Sequence, residues 1–338
     1  MAWYQVKGNE QDVVFSSRIR FARNIEGYAF GARLSEEKAR EVIDLTAKAL
    51  GDGFKHTNME DVSPLAAQAM VEQHLISRDF AAHKGPHALF CDNNKSISVM
   101  VCEEDHIRLQ CVLPGLALRD AYRFACECDD ALDAALPIAF DERLGYLTHC
   151  PTNLGTGLRA SVMLFLPALT ERGMIASLSH QLSVLGLTMR GLYGEGSKAQ
   201  GFLYQVSNQV TLGLSEEEIL QKLSEAVQSI VEKERALRVE VSGEEALRRV
   251  DRIHRAEGIA RYATMLSSEE FFSLFADLKL GVALGEITSI SHEALHAMLI
   301  HSLPATLSMQ AADTPKNGTE RDLARAVFLK QCWEVQHK

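Results

Sequence analysis

Residues 150–162 read Cys-Pro-Thr-Asn-Leu-Gly-Thr-Gly-Leu-Arg-Ala-Ser-Val. Gly155 and Gly157 permit tight turns and let a ligand approach the backbone closely. The segment is not a Walker A loop, because no Gly-Lys-Ser/Thr follows the glycines. Glycine spacing alone is a weak signal, whereas the continuous string of residues is a specific one. We predict a ligand-binding loop that leads through Arg159 into a strand at about residues 162–166.

The flanking sequence predicts two regions of different structure. Up to about residue 240, strand-like runs, helices and glycine-bearing loops are mixed, and beyond it the pattern is almost purely helical. Strands are predicted at residues 87–91, 97–101, 107–111, 146–147, 162–166, 187–193 and 202–206. Helices are predicted at residues 35–50, 117–136, 167–186 and 215–239, and near residues 242, 267, 291 and 319. The predicted fold is α+β: residues 1–240 form a mainly antiparallel sheet flanked by helices, and residues 241–338 form a helical bundle.

The composition excludes several classes of protein. The chain has 338 residues with 35 Lys and Arg against 45 Asp and Glu, a formal charge of −10. An acidic chain is a poor candidate for nucleic-acid binding, which needs a positive field. No segment is apolar and long enough to cross a membrane, and the N-terminus lacks a signal-peptide pattern. The 7 cysteines form no C-x-x-C pair, so we expect reduced thiols, no metal site built from protein ligands, and a cytoplasmic location.

Three further strings carry candidate chemistry. Residues 16–20, Ser-Ser-Arg-Ile-Arg, would place Arg18 and Arg20 on one face of a strand, where they repel unless an anion lies between them. Two solvated surface arginines are the alternative. Residues 103–108, Glu-Glu-Asp-His-Ile-Arg, could supply a base, a magnesium-associated carboxylate and a phosphate-binding arginine, or only a solvated turn. Residues 190–196, Arg-Gly-Leu-Tyr-Gly-Glu-Gly, could present one glutamate to a ligand or be a plain strand-to-loop junction.

Together the four strings resemble the phosphagen kinase superfamily, the ATP:guanidino phosphotransferases. They are more similar still to its bacterial branch, the protein arginine kinases, and the resemblance runs from about residue 13 to about residue 330. It implies a phosphagen-kinase-like catalytic domain over residues 1–240, ATP as the phosphoryl donor and Mg²⁺ as its companion ion. In that family five arginines cradle the triphosphate, and all five positions are arginine here: Arg18, Arg20, Arg108, Arg159 and Arg190.

The resemblance also implies the other nucleotide-binding residues. Three segments match, and their members are Ser16, Ser17, Arg18, Ile19 and Arg20, then Arg159, Ala160, Ser161, Val162 and Met163, then Arg190, Gly191, Leu192, Tyr193, Gly194 and Glu195. His74 matches a nucleotide-contacting histidine. Without the resemblance, His74 would be interpreted as a buried structural residue.

Three catalytic residues follow from the same resemblance. Glu104 matches the family's catalytic carboxylate, Glu195 a second carboxylate that grips the substrate guanidinium, and Cys150 the reactive cysteine beside the substrate pocket. Phosphoryl transfer needs in-line positioning and neutralisation of phosphate charge, which arginine forks supply. A protonated guanidinium is a poor nucleophile, and two carboxylates can align it and take its proton. We assign Glu104 as the base and Glu195 as the clamp.

The sequence departs from the family pattern at two places. The acidic loop of the family begins with asparagine where this chain has Cys102, and we expect the lost amide to loosen the loop. The kinases of small guanidino compounds carry a helical domain ahead of the Ser-x-Arg-x-Arg string. That string starts at residue 16 here, which leaves no room for such a domain and favours an arginine displayed on a protein surface.

A motif near the C-terminus supports the same interpretation. Arg321, Asp322, Arg325 and Ala326 form Arg-Asp-x-x-Arg-Ala, which resembles a phosphoarginine-recognition motif of the protein arginine kinases. On a helix the two arginines lie four residues apart on one face. We expect an allosteric or docking site for phosphoarginine, with a salt-bridged surface helix as the alternative.

The predicted function is transfer of the ATP γ-phosphate to arginine side chains of proteins. The resemblance further implies marking of proteins for a Clp-type ATPase and protease, stress control through a transcriptional repressor, a zinc-binding activator protein and a homodimer. One alternative is a kinase for free arginine or another small guanidino compound. A second alternative is a phosphoarginine-binding adaptor whose kinase site has decayed, which the cysteine at position 102 suggests.

Overall fold

A computed structural model of the chain describes residues 1–192, 200–311 and 313–334. The strands are β1 (Val14–Arg23), β2 (Lys55–Asn58), β3 (Ala88–Cys91), β4 (Ile97–Val101), β5 (Ile107–Pro114), β6 (Phe140–Asp141), β7 (Gly145–Tyr146), β8 (Leu158–Phe165), β9 (Leu187–Gly191) and β10 (Leu203–Asn208). The helices are α1 (Glu36–Leu50), α2 (Pro64–Glu72), α3 (Arg78–Ala82), α4 (Leu118–Ala135), α5 (Pro167–Glu171), α6 (Ile175–Val184), α7 (Glu216–Glu240), α8 (Gly243–Tyr262), α9 (Ser268–Leu284), α10 (His292–His301), α11 (Pro304–Gln310) and α12 (Gly318–Glu334). None of these helices is long and apolar enough to span a membrane.

One large sheet organises the molecule. Eight strands follow the order β2-β3-β4-β5-β1-β8-β10-β9, and every neighbouring pair is antiparallel. Helices α7 to α12 follow the last strand in the chain. The predicted α+β class, with a mainly antiparallel sheet and C-terminal helices, is therefore confirmed.

The two faces of the sheet are covered by different helices. Ile19 and Phe21 of β1 belong to a core that includes residues of α1, α4, α6 and α7. Phe15 of β1 and Phe165 of β8 belong to a second core, which they share with the N-terminal residue Trp3 and with the C-terminal helices. Since side chains alternate along a strand, the residues between the members of the first core project toward the second.

Most of the predicted helix starts agree with the helices of the structure. Ser35 accepts a hydrogen bond from the backbone of Lys38 at the start of α1, and Ser215 and Glu218 form the complete capping box of α7. The helix predicted near residue 242 is α8, which begins one residue after Ser242, although the side chain of Ser242 makes no capping hydrogen bond.

Two other predictions needed revision. The stretch over residues 167–186 is two helices rather than one, with Gly173 between them at a φ of 68°. Only glycine adopts such a backbone conformation readily, and it ends the first helix. The strand predicted at residues 146–147 is the two-residue strand β7, which pairs with β6 and bridges to Gly155.

Candidate active site

Arginines from four strands project from one face of the sheet. Arg18 and Arg20 alternate with the buried residues of β1, as a period of two requires. Arg20 lies directly opposite Arg159 of β8, and Arg108 lies opposite Ala22 on the other neighbour, β5. Arg190 of β9 lies opposite Gln205 of β10. Sheet register therefore gathers residues that are distant in the chain.

A single cleft of about 390 Å³ is lined by all five predicted phosphate-binding arginines. Its other charged lining residues are Glu103, Glu104 and Asp105 of the acidic loop, and Cys150 lies at its wall. The sheet thus brings together the motifs of residues 16–20, 103–108, 150–162 and the start of 190–196.

The cleft is lined by more positively charged than negatively charged side chains. Burial, followed by the charges of Arg18, Arg108 and Arg159, holds the pKa of Arg20 well below its usual value. Burial and the neighbouring Arg190 and Arg108 lower the pKa of Arg159 in the same way. The Nε atoms of Arg20 and Arg159 are buried and have no hydrogen-bond partner in the part of the chain that is described. Guanidinium groups so placed favour a multiply charged anion between them.

Two of the arginines are oriented by neighbouring side chains. Arg18 donates from Nε to Ser161 Oγ at 3.3 Å and from Nη2 to Gln205 Oε1 at 3.0 Å. Arg108 donates to Glu103 Oε2 at 2.5 Å. Gln205 was not predicted as a site residue. Its only signal in the sequence was its place on the strand predicted at residues 202–206, which pairs with the strands that carry Arg159 and Arg190.

The acidic loop gives its three carboxylates different surroundings. Glu103 is held by Arg108 and by the hydroxyl of Ser77. Asp105 is buried and accepts from Asn24 Nδ2 at 2.7 Å and from the backbone N–H of His149 at 2.6 Å. The Glu104 side chain is exposed at the cleft. Of these three carboxylates, that of Glu104 is the most accessible to a phosphoryl acceptor in the cleft.

The residue that begins this loop has a strained backbone. Cys102 has a φ of 64°, a region that non-glycine residues seldom adopt and that asparagine tolerates best. Its Sγ donates to the carbonyl of Ala39 at 3.7 Å, and its N–H donates to His106 O at 2.9 Å. The loop is thus closed by backbone bonds even without the amide that the family pattern has here.

His74 lies in a smaller cavity of about 70 Å³ beside the main cleft. The two cavities share the lining residues Arg18, Leu192 and Gln205, and the smaller one is also lined by Ser16 and Met163. Burial, and then the charge of Arg18, lower the pKa of His74 to about 3. The imidazole is therefore neutral at physiological pH.

The glycine-bearing loop is fixed from behind by a buried arginine. A side chain at Gly157 would meet Arg23 Nη1 at 2.5 Å and Ala22 O at 2.7 Å. Arg23 donates to Thr156 O at 3.1 Å and to Asp129 Oδ2 at 2.6 Å. The close approach that only glycine allows lets Arg23 anchor the loop immediately before Arg159.

Cys150 is half-buried at the edge of the cleft. Its Sγ lies 3.0 Å from Thr152 Oγ1, and Thr152 and Asn153 also line the cleft. The thiol thus lines the same cleft as Glu104.

Several predicted site residues do not present side chains to the cleft. The side chains of Ile19, Ala160 and Val162 belong to the core on the opposite face. Ser17 is fully buried and donates to Gly115 O at 2.9 Å. These residues can serve the site through their backbone only. Tyr193, Gly194 and Glu195 lie outside the described residues.

The predicted phosphoarginine motif lies on α12, away from the cleft. Arg325 is 1% exposed and donates to Ser302 O at 3.0 Å, Leu266 O at 2.6 Å, Asp322 Oδ1 at 2.8 Å and Ser268 Oγ at 2.9 Å. Arg321 is half-buried and Ala326 is buried. The two arginines do not form an exposed pair, because the guanidinium of Arg325 organises the interior of the helical bundle.

Family sequence models match most of the chain. Residues 35–237 match the ATP:guanido phosphotransferase C-terminal catalytic domain. The chain belongs to the ATP:guanido phosphotransferase family. Within this family, residues 247–338 match the C-terminal domain of the protein-arginine kinase McsB. The chain is accordingly an ATP-dependent guanidino phosphotransferase. These matches support a kinase rather than the alternative of an adaptor whose kinase site has decayed.

Individual members of the ATP:guanido phosphotransferase family agree with this placement. The protein-arginine kinase of Caldanaerobacter subterraneus is 42% identical over 328 residues, 95% of this chain and 96% of its own length. That of Symbiobacterium thermophilum is 42% identical over 336 residues, 97% and 95% of the two chains. Among solved structures, the substrate-free duplicated taurocyamine kinase from Schistosoma mansoni is 26% identical with a TM-score of 0.61. The match covers 77% of this chain and 40% of that duplicated one.

Proposed function

We propose that this chain transfers the γ-phosphoryl group of ATP to arginine side chains of proteins. The observation that carries the proposal is the cleft that five arginines and the exposed Glu104 line together. A cationic wall suits a triphosphate, and a free carboxylate suits a guanidinium that must lose a proton. Full-length relatives that bear the name protein-arginine kinase support arginine in proteins as the acceptor.

The nucleotide would lie along the main cleft with its nucleoside end toward the smaller cavity, which shares Arg18, Leu192 and Gln205 with the cleft. The triphosphate lies among the five arginines, where the buried Nε atoms of Arg20 and Arg159 have no other partner in the described ranges. The nucleoside end lies in the smaller cavity beside His74 and Met163. A neutral imidazole can contact the nucleoside without adding to the positive charge around Arg18.

Mg²⁺ fits this site as an ion held chiefly by phosphate oxygens and water. No group of three or more His, Cys, Asp or Glu side chains suited to a metal exists among residues 1–192, 200–311 and 313–334. Glu103 and Asp105 are already engaged by protein donors. Mg²⁺ commonly keeps several waters and binds substrate phosphates. When bound, it would neutralise charge on the β- and γ-phosphate oxygens.

The acceptor step follows from the position of Glu104. Its carboxylate accepts a proton from the attacking guanidinium nitrogen, and that nitrogen forms a bond to the γ-phosphorus. The bond from the γ-phosphorus to the bridging oxygen breaks, and ADP leaves with the electron pair. The arginines stabilise the charge on the transferring group throughout. We propose Glu195 as the second carboxylate that grips the guanidinium and Cys150 as a neighbour of the acceptor.

A comparison of acceptors tests the proposal. The purified chain is incubated with ATP, Mg²⁺ and either an unfolded protein or free arginine, and phosphorylation is measured by intact mass and by ADP release. The samples stay at neutral or basic pH because phosphoarginine is acid-labile. We expect additions of one phosphoryl mass to protein arginines, absent in Glu104→Gln. Turnover of free arginine alone would favour the alternative kinase of a small guanidino compound.

Finer features of the function are part of the same proposal. We place the kinase in the cytoplasm, as a homodimer that marks proteins for a Clp-type ATPase and protease. A zinc-binding activator protein and a stress-gene repressor are its proposed partners. We assign residues 1–240 to catalysis and residues 241–338 to regulation by phosphoarginine at Arg321, Asp322, Arg325 and Ala326. The buried Arg325 would support that site from within, while Arg321 meets the ligand.

A further inference from the structure

Glu72, the last residue of α2, binds the first turn of α11. One carboxylate oxygen accepts the backbone N–H of Ala305 at 2.9 Å. The other accepts the backbone N–H and the hydroxyl of Thr306 at 2.7 and 2.8 Å. Ala305 and Thr306 are buried, so water competes weakly for these bonds. Hydrogen bonds to a carboxylate are among the strongest in proteins, and these three join the sheet side of the molecule to the C-terminal helices.

The chain leaves α2 through a strained turn at His74, two residues after Glu72. His74 has a φ of 59°, and such a conformation persists only where its surroundings hold it. The N–H of His74 donates to Val71 O at 3.0 Å, and its carbonyl accepts from Gln110 Nε2 at 2.7 Å. Gln110 is the direct cross-strand partner of Arg20. The turn is therefore fixed between the arginine face and the end of α2.

The same turn of α11 is held from its other side by the bundle. Arg325 of α12 donates to Ser302 O, two residues before α11 begins. Helix α2 packs against α11 of the bundle, while its buried residues belong to a small core with residues such as Phe80 and Met100. The hydrogen bonds of Glu72 reinforce this packing at the end of α2 that leads into the turn at His74.

We propose that Glu72 is a positioning residue for the nucleotide, through which the C-terminal helices set the turn at His74. The proposal rests on the proposed function only in taking this cleft as the ATP site. Its consequence is specific: loosening the contact weakens ATP binding, because His74 lines the nucleoside cavity, and leaves the chemistry at Glu104 nearly intact.

The test uses both sides of the contact. Glu72→Gln removes the charge, Thr306→Val removes the hydroxyl donor, and Thr306→Ser retains it. Glu60→Gln is the matched control, since the Glu60 carboxylate pairs with Arg40 at the surface, away from the cleft. The dissociation constant of ATP is measured by calorimetry without acceptor, and KM and kcat are measured with a protein acceptor.

We expect Glu72→Gln to raise the dissociation constant and KM of ATP about three- to tenfold, with kcat within about twofold of the unmodified protein. Thr306→Val should shift KM in the same direction by about two- to threefold, while Thr306→Ser and Glu60→Gln leave it unchanged. If Glu72→Gln does not fold, the comparison of Thr306→Val with Thr306→Ser tests the proposal.

Two results would overturn the proposal. One is an unchanged ATP affinity in folded Glu72→Gln, or in folded Thr306→Val. The other is a fall in kcat with no change in KM. A chain that binds ATP with the expected variant pattern but phosphorylates no arginine would instead refute the proposed function and leave the role of Glu72 standing.

Discussion

Arg20 of β1 and Arg159 of β8 are direct partners across two antiparallel strands. Like charges placed opposite each other destabilise a sheet. Here the buried Nε atom of each side chain also lacks a hydrogen-bond partner among the described residues. The arrangement therefore costs stability in the nucleotide-free protein, and a bound triphosphate offsets that cost, since a ligand that binds only the folded state stabilises it.

Neutralising one member of this pair should separate stability from activity. We expect Arg20→Gln to raise the free energy of unfolding of the nucleotide-free protein by about 1 kcal/mol. The same change should lower kcat/KM by about 10³-fold, because a donor to the transferring phosphoryl group is lost. Thermal unfolding with and without ATP checks the effect on stability, and steady-state kinetics with a protein acceptor checks the effect on kcat/KM. Arg119→Gln, which breaks only an exposed pair with Glu217, is the control. A less stable Arg20→Gln that still gains stability from ATP would contradict the prediction.

The neighbouring glutamates of the acidic loop should behave differently when changed. Glu104→Gln should lower kcat by about 10²- to 10⁴-fold with little effect on KM for ATP, because it removes a proton acceptor. Glu103→Gln should mainly raise KM for ATP, because Arg108 loses its 2.5 Å partner. Steady-state kinetics with a protein acceptor distinguishes the two. Interchanged effects would show that Glu103, not Glu104, is the base.

The strained position at Cys102 predicts a stabilising substitution. Asparagine tolerates positive φ better than cysteine, and its amide could donate to Ala39 O, which now accepts from Sγ. We expect Cys102→Asn to raise the free energy of unfolding by about 0.5–1 kcal/mol and to keep or improve kcat. Cys102→Ala keeps the strain and is the comparison. Chemical denaturation measures both variants, and an asparagine variant less stable than the alanine variant would count against the strain.

Alkylation should single out one of the cysteines. Burial raises the pKa to about 12 for Cys91, Cys102, Cys111, Cys128 and Cys332, and it also raises the pKa of Cys126. Thiols with a raised pKa hold little reactive thiolate at pH 8. We expect iodoacetamide to modify Cys150 first, more slowly when ATP and acceptor fill the cleft. Peptide mass spectrometry gives the order, and earlier modification of Cys126 would contradict it.

The two arginines of the C-terminal motif should have separable roles. Arg325→Ala should lower the free energy of unfolding by about 3–5 kcal/mol, since it leaves buried acceptors such as Ser302 O without a donor. Arg321→Ala should leave stability and basal turnover unchanged and alter only the response to added phosphoarginine. Unfolding curves and kinase assays with and without phosphoarginine check this. Equal loss of basal turnover in folded Arg321→Ala would refute the separation.

Local sequence patterns predicted many of the helices, strands and site residues. They could not predict which residues that are distant in the chain come into contact. Alternation put Arg18 and Arg20 on one face, and the serine and glutamates at residues 35–37 marked the start of α1, because both signals are local. Which strands pair with each other depends on the whole sheet. The sequence around Gln205 therefore could not predict its hydrogen bond with Arg18. Likewise, spacing on α12 placed Arg321 and Arg325 together but could not tell which faces the interior.

The apolar core on the arginine side of the sheet bears on how the molecule could be divided. Trp3, Phe15 and Phe165 share that core with the C-terminal helices, although the two family models meet between residues 237 and 247. A catalytic fragment cut at this junction would expose to water the apolar residues on the arginine side of its sheet, and it would self-associate through them. Expressed together as separate chains, the two fragments would instead have a ready-made interface, and kinase activity would report their reassembly.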